Sequence, residues 1–153
     1  MDLVVLHNSK FLDFNKFAAE KDSIKEVCFL KDNFYPVARI RNVDNVEQGY
    51  QMTQHILENW EDQAYGNPDF IVLPRLDGLG HRSTSVGDVV EVYDGDELVD
   101  CQVIMPCGYK SATFLVSAQE ILDAINENKL SQFFERDLIS TLGRAILMGE
   151  IKE

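Results

Sequence analysis

The residues of this chain best equipped for chemistry stand in one stretch, Gly80-His-Arg-Ser-Thr-Ser-Val-Gly-Asp-Val-Val90. Between His81 and Asp88 it holds an imidazole, a guanidinium, three hydroxyls and a carboxylate. Those are the types a hydrolase uses, where a hydroxyl nucleophile needs a base within hydrogen-bond reach and a third group to orient that base. Residues adjacent in sequence rarely achieve this geometry, and the GxSxG elbow that presents a nucleophilic serine is missing. The same types also do structural work ahead of a strand. Ser83 or Ser85 can cap a short turn, Asp88 can accept backbone N–H bonds, and Gly87 suits a positive φ. The structural reading is the stronger, so His81, Arg82, Ser83, Ser85 and Asp88 are candidate binding residues and no catalytic residue is assigned.

Other chemistries find less support. His7, His55 and His81 are scattered, and no HxxxH or CxxC spacing joins them, so no metal is expected. Cys28, Cys101 and Cys107 form no CxxC pair and read as reduced thiols. There is no GxxxxGK[ST] phosphate loop, and Leu76-Asp-Gly-Leu-Gly80 leads to no strand–loop–helix unit, so no cofactor is expected.

The elements that must position this stretch can be read from periodicity. Residues 2–6 form an apolar strand, with a turn at His7-Asn-Ser9. Phe11, Phe14 and Phe17 have the spacing of one helical face. Residues 34–41 read as a strand, although Val37 and Ile40 cannot share a strict period-two face, which points to a bulge or burial on both sides. Asp44-Asn-Val-Glu47 is a capping-box pattern, and Val46, Tyr50, Thr53, Leu57 and Trp60 follow at steps of three or four, which predicts an amphipathic helix over 45–59. Gly49 inside that helix costs about 1 kcal/mol relative to alanine and hints at close packing against another backbone. Phe70-Ile-Val-Leu73 is a short strand. The stretch 85–105 is a hairpin: Val90 and Val92 share one face, Val99, Cys101, Val103 and Met105 share a face of the return strand, and Asp94-Gly95 supplies the turn. Ser117-Ala-Gln-Glu120 is a second capping box opening a helix, and a last helix runs over 131–148.

The expectation is therefore an α+β domain over residues 1–153: a small antiparallel sheet of four or five strands with a packed amphipathic helix, making a core over 1–110, and two C-terminal helices as an appendage over 117–149. The final helix carries more apolar residues than one stripe accommodates, with Phe133, Leu147 and Met148 beside it, which predicts a homodimer contact there.

The chain has 153 residues, 45% of them apolar, enough for one core without a metal or disulfide staple. With 26 acidic against 14 basic residues its net charge is −12, which repels phosphate backbones and anionic membranes. Direct binding to duplex DNA is not expected; a protein partner is, including one that normally meets a nucleic acid. The first 17 residues lack the pattern of a secretory signal, and no apolar run reaches the ~20 residues that span a bilayer, so a cytoplasmic protein is expected.

The string His81-Arg-Ser-Thr-Ser-Val-Gly-Asp-Val-Val90, followed by a hairpin and Cys107-Gly-Tyr109, resembles the YodL-type module of polyvalent mobile-element proteins of phages and plasmids. The likeness covers about 80–110, more weakly 35–60. It implies an accessory or regulatory protein of a phage or mobile element, directed against host defence, and adds Tyr109 to the candidate binding residues. It carries no reaction with it. Ser85-Val-Gly-Asp-Val-Val-Glu-Val92 before a hairpin is also similar to a loop and strand of PUA-like and ASCH barrels, which implies binding to RNA or a modified base, with Arg75, Arg82 and Lys110 as the cations. The expected function is a non-enzymatic protein-binding accessory protein. The alternatives are a PUA- or ASCH-like RNA-binding domain and a hydrolase using the His81–Asp88 loop.

Overall fold

The computed structural model describes residues 1–9, 27–56, 58–75, 78, 80–106, 108–117, 119, 120, 122 and 123. Its organising element is β1 (Asp2–Asn8), where alternation places Leu3 and Val5 on one face and Val4 and Leu6 on the other. Flanking it are β3 (Phe34–Ile40) and β5 (Val89–Asp94), both antiparallel to it. With β2 (Val27–Leu30), β4 (Phe70–Val72), β6 (Glu97–Ile104) and β7 (Tyr109–Leu115) they make one sheet of order β2-β7-β6-β5-β1-β3-β4. Seven strands replace the four or five expected from the sequence. The difference is β2 and β7 at one end, and their pairing is parallel, so the sheet is not wholly antiparallel. The sheet also runs past residue 110, to Leu115.

That topology forces curvature. In a flat sheet β2 and β3 would stand five strand spacings apart, about 24 Å at ~4.8 Å each. Only Lys31–Asn33, one 3₁₀ turn, joins Leu30 to Phe34, and four Cα steps reach at most about 14 Å. The sheet must therefore curl until its ends approach. The aromatic rings show the closure: Phe34 of β3 meets Phe29 of β2 at 4.9 Å between centroids and Phe114 of β7 at 5.0 Å, both edge-to-face. One buried cluster, including Leu6, Phe29, Phe34, Val89, Val103 and Leu115, fills the inside of the curl. A second, including Leu3, Val5, Val37, Ile40, Trp60, Phe70, Val90 and Val92, lies outside, beneath the helices. The irregularity expected from Val37 and Ile40 is a bulge: the β1–β3 register shifts between Val5 and Leu6, leaving Val37 unpaired and buried.

The expected helix over 45–59 is two short ones, α1 (Val46–Met52) and α2 (Trp60–Ala64). Thr53 ends α1, with its hydroxyl on the carbonyls of Gly49 (2.8 Å) and Tyr50 (3.2 Å), a local competitor for the helical ladder. The first cap sits one residue later than the sequence pattern suggests. Asn45, not Asp44, accepts from the N–H of Gln48 (3.1 Å), and Gln48 reaches back to the Asp44 N–H (2.6 Å). Asn59 caps α2. The second capping box forms as written: Ser117 accepts from the Glu120 N–H (3.1 Å) and Glu120 accepts from the Ser117 N–H (3.2 Å). Beyond residue 123 the two expected C-terminal helices and the dimer contact lie outside the described residues, as do the Phe11–Phe17 helix and Leu57. Gly49 packs on side chains rather than on a backbone; a Cβ there would lie 2.8 Å from Cδ1 of Leu3.

The hairpin of β5 and β6 turns at Gly95-Asp96, one residue beyond the expected Asp94-Gly95, with Asp94 and Glu97 as the closing pair. Gly95 has φ 62° and Asp96 does not share the positive sign, the pattern of a turn with glycine at its first central position. A register shift opposite Val92 and Tyr93 takes Val99 out of the ladder, so Val99 is exposed while Val103 and Met105 are buried.

Candidate functional site

The stretch 80–88 crosses from α2 to β5 over the end of β1. Asp88 fixes it. This carboxylate is 1% exposed and takes four donors: the Asn8 N–H (2.8 Å), the Ser85 N–H (2.8 Å) and both terminal nitrogens of Arg82 (2.6 and 2.8 Å). Arg82 also donates to the Asn8 carbonyl (3.2 Å) and the Ser83 carbonyl (3.0 Å). A guanidinium fork against a carboxylate is the strong, bidentate form of an ion pair, and here it ties the loop to β1. The same contact holds the Arg82 guanidinium above its ordinary pKa. Gly87, at φ 92°, lets the chain turn so that its N–H meets the Ile104 carbonyl (2.8 Å).

From the other side the loop is held by 53–61. The His55 N–H donates to the Ser83 hydroxyl (2.8 Å), Gln54 to the Thr84 carbonyl (2.6 Å), and the Trp60 indole to the Arg82 carbonyl (2.9 Å). The Thr84 N–H donates to the Thr53 carbonyl (2.9 Å), and that of His81 to Glu61. His55 accepts from the Trp60 N–H on Nδ1 (3.2 Å), which leaves Nε2 as the donor to the His81 carbonyl (3.1 Å). Buried backbone groups need partners, and this loop finds them in the side chains of its neighbours. That requirement is what breaks the expected long helix: Thr53, Gln54 and His55 must leave helical geometry to reach it.

Beneath the loop lie aromatic and imidazole rings. His81 is sandwiched between Trp60 (5.9 Å, 16°) and Tyr35 (6.1 Å, 28°), and its Nε2 donates to the Leu73 carbonyl (2.6 Å). His7, fully buried, has Nε2 at 2.9 Å from the Thr84 hydroxyl and 3.9 Å from Asp88. Burial lowers its pKa from 6.5 to about 4; Asp88 opposes the shift, and Arg82 and His81 add to it. Its Nδ1 and that of His81 have no hydrogen-bond partner among the described residues.

Hydroxyl, imidazole and carboxylate thus come together, but not as a relay. A triad needs the nucleophile on one ring nitrogen and the acid on the other. Here Thr84 and Asp88 approach the same nitrogen of His7, His81 faces a carbonyl, and Thr84 is itself buried. The structure brings His81, Arg82, Ser83, Ser85 and Asp88 into one bonded unit. Tyr109 is set apart from these hydrogen bonds, on a groove with Asp44, Glu47, Asp100 and Gln102. Burial, then Glu47, raises the pKa of its phenol. Sequence reasoning missed His7 and Asn8, read as a turn, His55, read as helix, and Trp60 and Glu61, just past the expected helix end. A histidine and an asparagine closing an apolar strand were the available signal. Cys101 is half-buried, and among the described residues no group of His, Cys, Asp and Glu could hold a metal. No helix among them is long and apolar enough to cross a membrane. Comparisons with protein-family models, curated proteins and solved structures return no match for this chain.

Proposed function

We propose that the protein is a non-enzymatic, cytoplasmic binding module that docks on a basic protein partner through its β5–β6 hairpin, and that it serves as a regulatory accessory of a phage or mobile element. The observation that carries the reading is the hairpin tip. Every residue from Asp94 to Asp100 is exposed, with Asp94, Asp96, Glu97 and Asp100 surrounding Leu98 and Val99, which are 49% and 54% exposed. A polar rim around apolar anchors is the anatomy of a protein interface. The carboxylates supply steering towards a cationic surface, and the groove of Asp44, Glu47 and Asp100 continues the same charge. The resemblance to mobile-element modules supports the accessory role. The bonded state of the 81–88 loop favours binding over hydrolysis, because its polar groups are committed to holding the chain. It also weighs against the RNA reading, in which Arg82 was a cation: Asp88 neutralises it.

The test is affinity capture from lysate of the host cell, comparing wild type with a Leu98→Asp/Val99→Asp double variant. Both positions are exposed, so the variant should fold. A protein held by wild type, released by about 0.5 M salt as exposed charge pairs are screened, and lost with the double variant is expected. Equal capture by both chains would remove the hairpin from the interface.

A further inference from the structure

The inner face of the curled sheet carries a second site, independent of the hairpin. Between Lys31–Asn33 and β4 the curl stays open and leaves a groove of about 530 Å³. That volume lies within the roughly 300–1,000 Å³ typical of small-molecule pockets. Register builds it: Ile71 pairs with Arg39, Arg39 with Val4, and Val4 with Glu91, so these four side chains form one row across four strands. Leu6 and Leu73 extend the apolar floor beside that row, and Arg41 and Lys31 close the ends.

The charge there is opposite to that of the molecule. Three cations, Lys31, Arg39 and Arg41, meet one carboxylate in the groove of a chain with net charge −12. Glu91 is buried and met by Lys31 at 3.7 Å and the Tyr93 hydroxyl at 3.4 Å. Arg39 reaches Asp2 at 3.6 Å, while its Nε is buried without a hydrogen-bond partner. Arg41 is exposed and forms no ion pair among the described residues. A buried donor without an acceptor costs free energy, and two guanidinia lining one groove offer planar donors that suit carboxylate or phosphate oxygens.

We propose that this groove binds a small organic anion with an apolar body. The carboxylate or phosphate head lies on Arg39 and Arg41, supplying the acceptor that the Arg39 Nε lacks, and an aryl or branched alkyl body covers Val4, Leu6, Ile71 and Leu73. Charge complementarity selects the anion, and the apolar floor requires the body; inorganic phosphate alone has no use for the floor.

The test is an amide ¹H–¹⁵N titration of the whole chain with 4-phenylbutyrate and phenyl phosphate, which separate the two head groups, and with the neutral 4-phenylbutanamide and inorganic phosphate. Saturable shifts confined to β1, β3, β4 and the groove positions Lys31, Arg41, Leu73 and Glu91 are expected with at least one of the two anions, at least tenfold weaker with the neutral amide, and absent with phosphate. Arg41→Glu, exposed and therefore compatible with folding, should weaken the anion at least tenfold while leaving the remaining spectrum unchanged. Equal affinity for anion and amide, undiminished binding by Arg41→Glu, or no saturable shift with either anion overturns the proposal. So does a response confined to an acidic, leucine-containing peptide, which would make the groove a peptide site.

Discussion

Asp88 shows how little an isolated residue type says about its task. In sequence it is one of 26 acids; in the structure it is buried and saturated by four donors, two of them from the one guanidinium placed to neutralise it. Its structural role was legible from its place ahead of a strand. Its partners Asn8 and Arg82 were not, because the first is distant in sequence and the second was counted among free cations. Asp88→Ala leaves two backbone donors and a guanidinium without their acceptor. The expected loss is about 3 kcal/mol, in the range for breaking a buried pair, read by urea denaturation at pH 7. A loss under about 1 kcal/mol would mean that the loop is held without it. His7 adds a pH signature. The unfolded chain takes up its proton near pH 6.5 and the folded chain only near 4. Between those values the unfolded state binds more protons, so stability falls as pH falls, and below about 4 this group removes no more. The whole span amounts to about 3 kcal/mol. His7→Gln, which keeps an amide opposite Thr84, should flatten the melting-temperature profile between pH 6.5 and 4 relative to wild type. Parallel profiles would mean that the ring is charged in the folded state.

Elements were easiest to place where periodicity and turn chemistry agree. Strands β1, β3 and β4 stand within a residue or two of their sequence limits, the β5–β6 hairpin ends within one residue of its limit but begins four residues late, at Val89, and even the bulge was visible in the conflict between Val37 and Ile40. The turn and the first helix cap each slipped by one residue, since Asp94, Gly95 and Asp96, or Asp44 and Asn45, satisfy the same local rule. The long helix failed for a tertiary reason: its apolar spacing runs unbroken to Trp60, but the loop at 81–84 needs His55 and Gln54 as partners. Gly49 is the element-scale probe. Its missing side chain lets α1 lie on Leu3 and Val5. Gly49→Val puts an isopropyl group into a filled core and should cost about 2 kcal/mol, as overpacking does, in thermal or urea melts. A neutral result would show that α1 can lift off the sheet.

At the scale of the molecule, the fold expected from the sequence is overturned: the sheet has seven strands, one pair of them parallel, and it curls. Nothing in the four apolar residues Val27–Leu30 announces a strand, and nothing local says that it pairs with Ala112–Leu115. The curl follows only once that pairing is set against the shortness of Lys31–Asn33. Phe34 bridges the closure, touching both Phe29 and Phe114. Phe34→Ala should therefore cost about 3–5 kcal/mol, more than truncation of the exposed Leu98, and denaturant melts can rank the two. The closure also has a bearing on time. Pairing β2 with β7 joins strands near opposite ends of the described chain, and contacts of such long separation are entropically expensive to form early. The β5–β6 hairpin and the β1–β3 ladder offer shorter routes to a nucleus, which leaves β2 to dock after the rate-limiting barrier. In stopped-flow experiments Phe29→Ala should then accelerate unfolding and leave refolding nearly unchanged. A strand made well before its partner would be the last to join, so a nascent chain would expose the inside of its curl until Leu115 had left the ribosome.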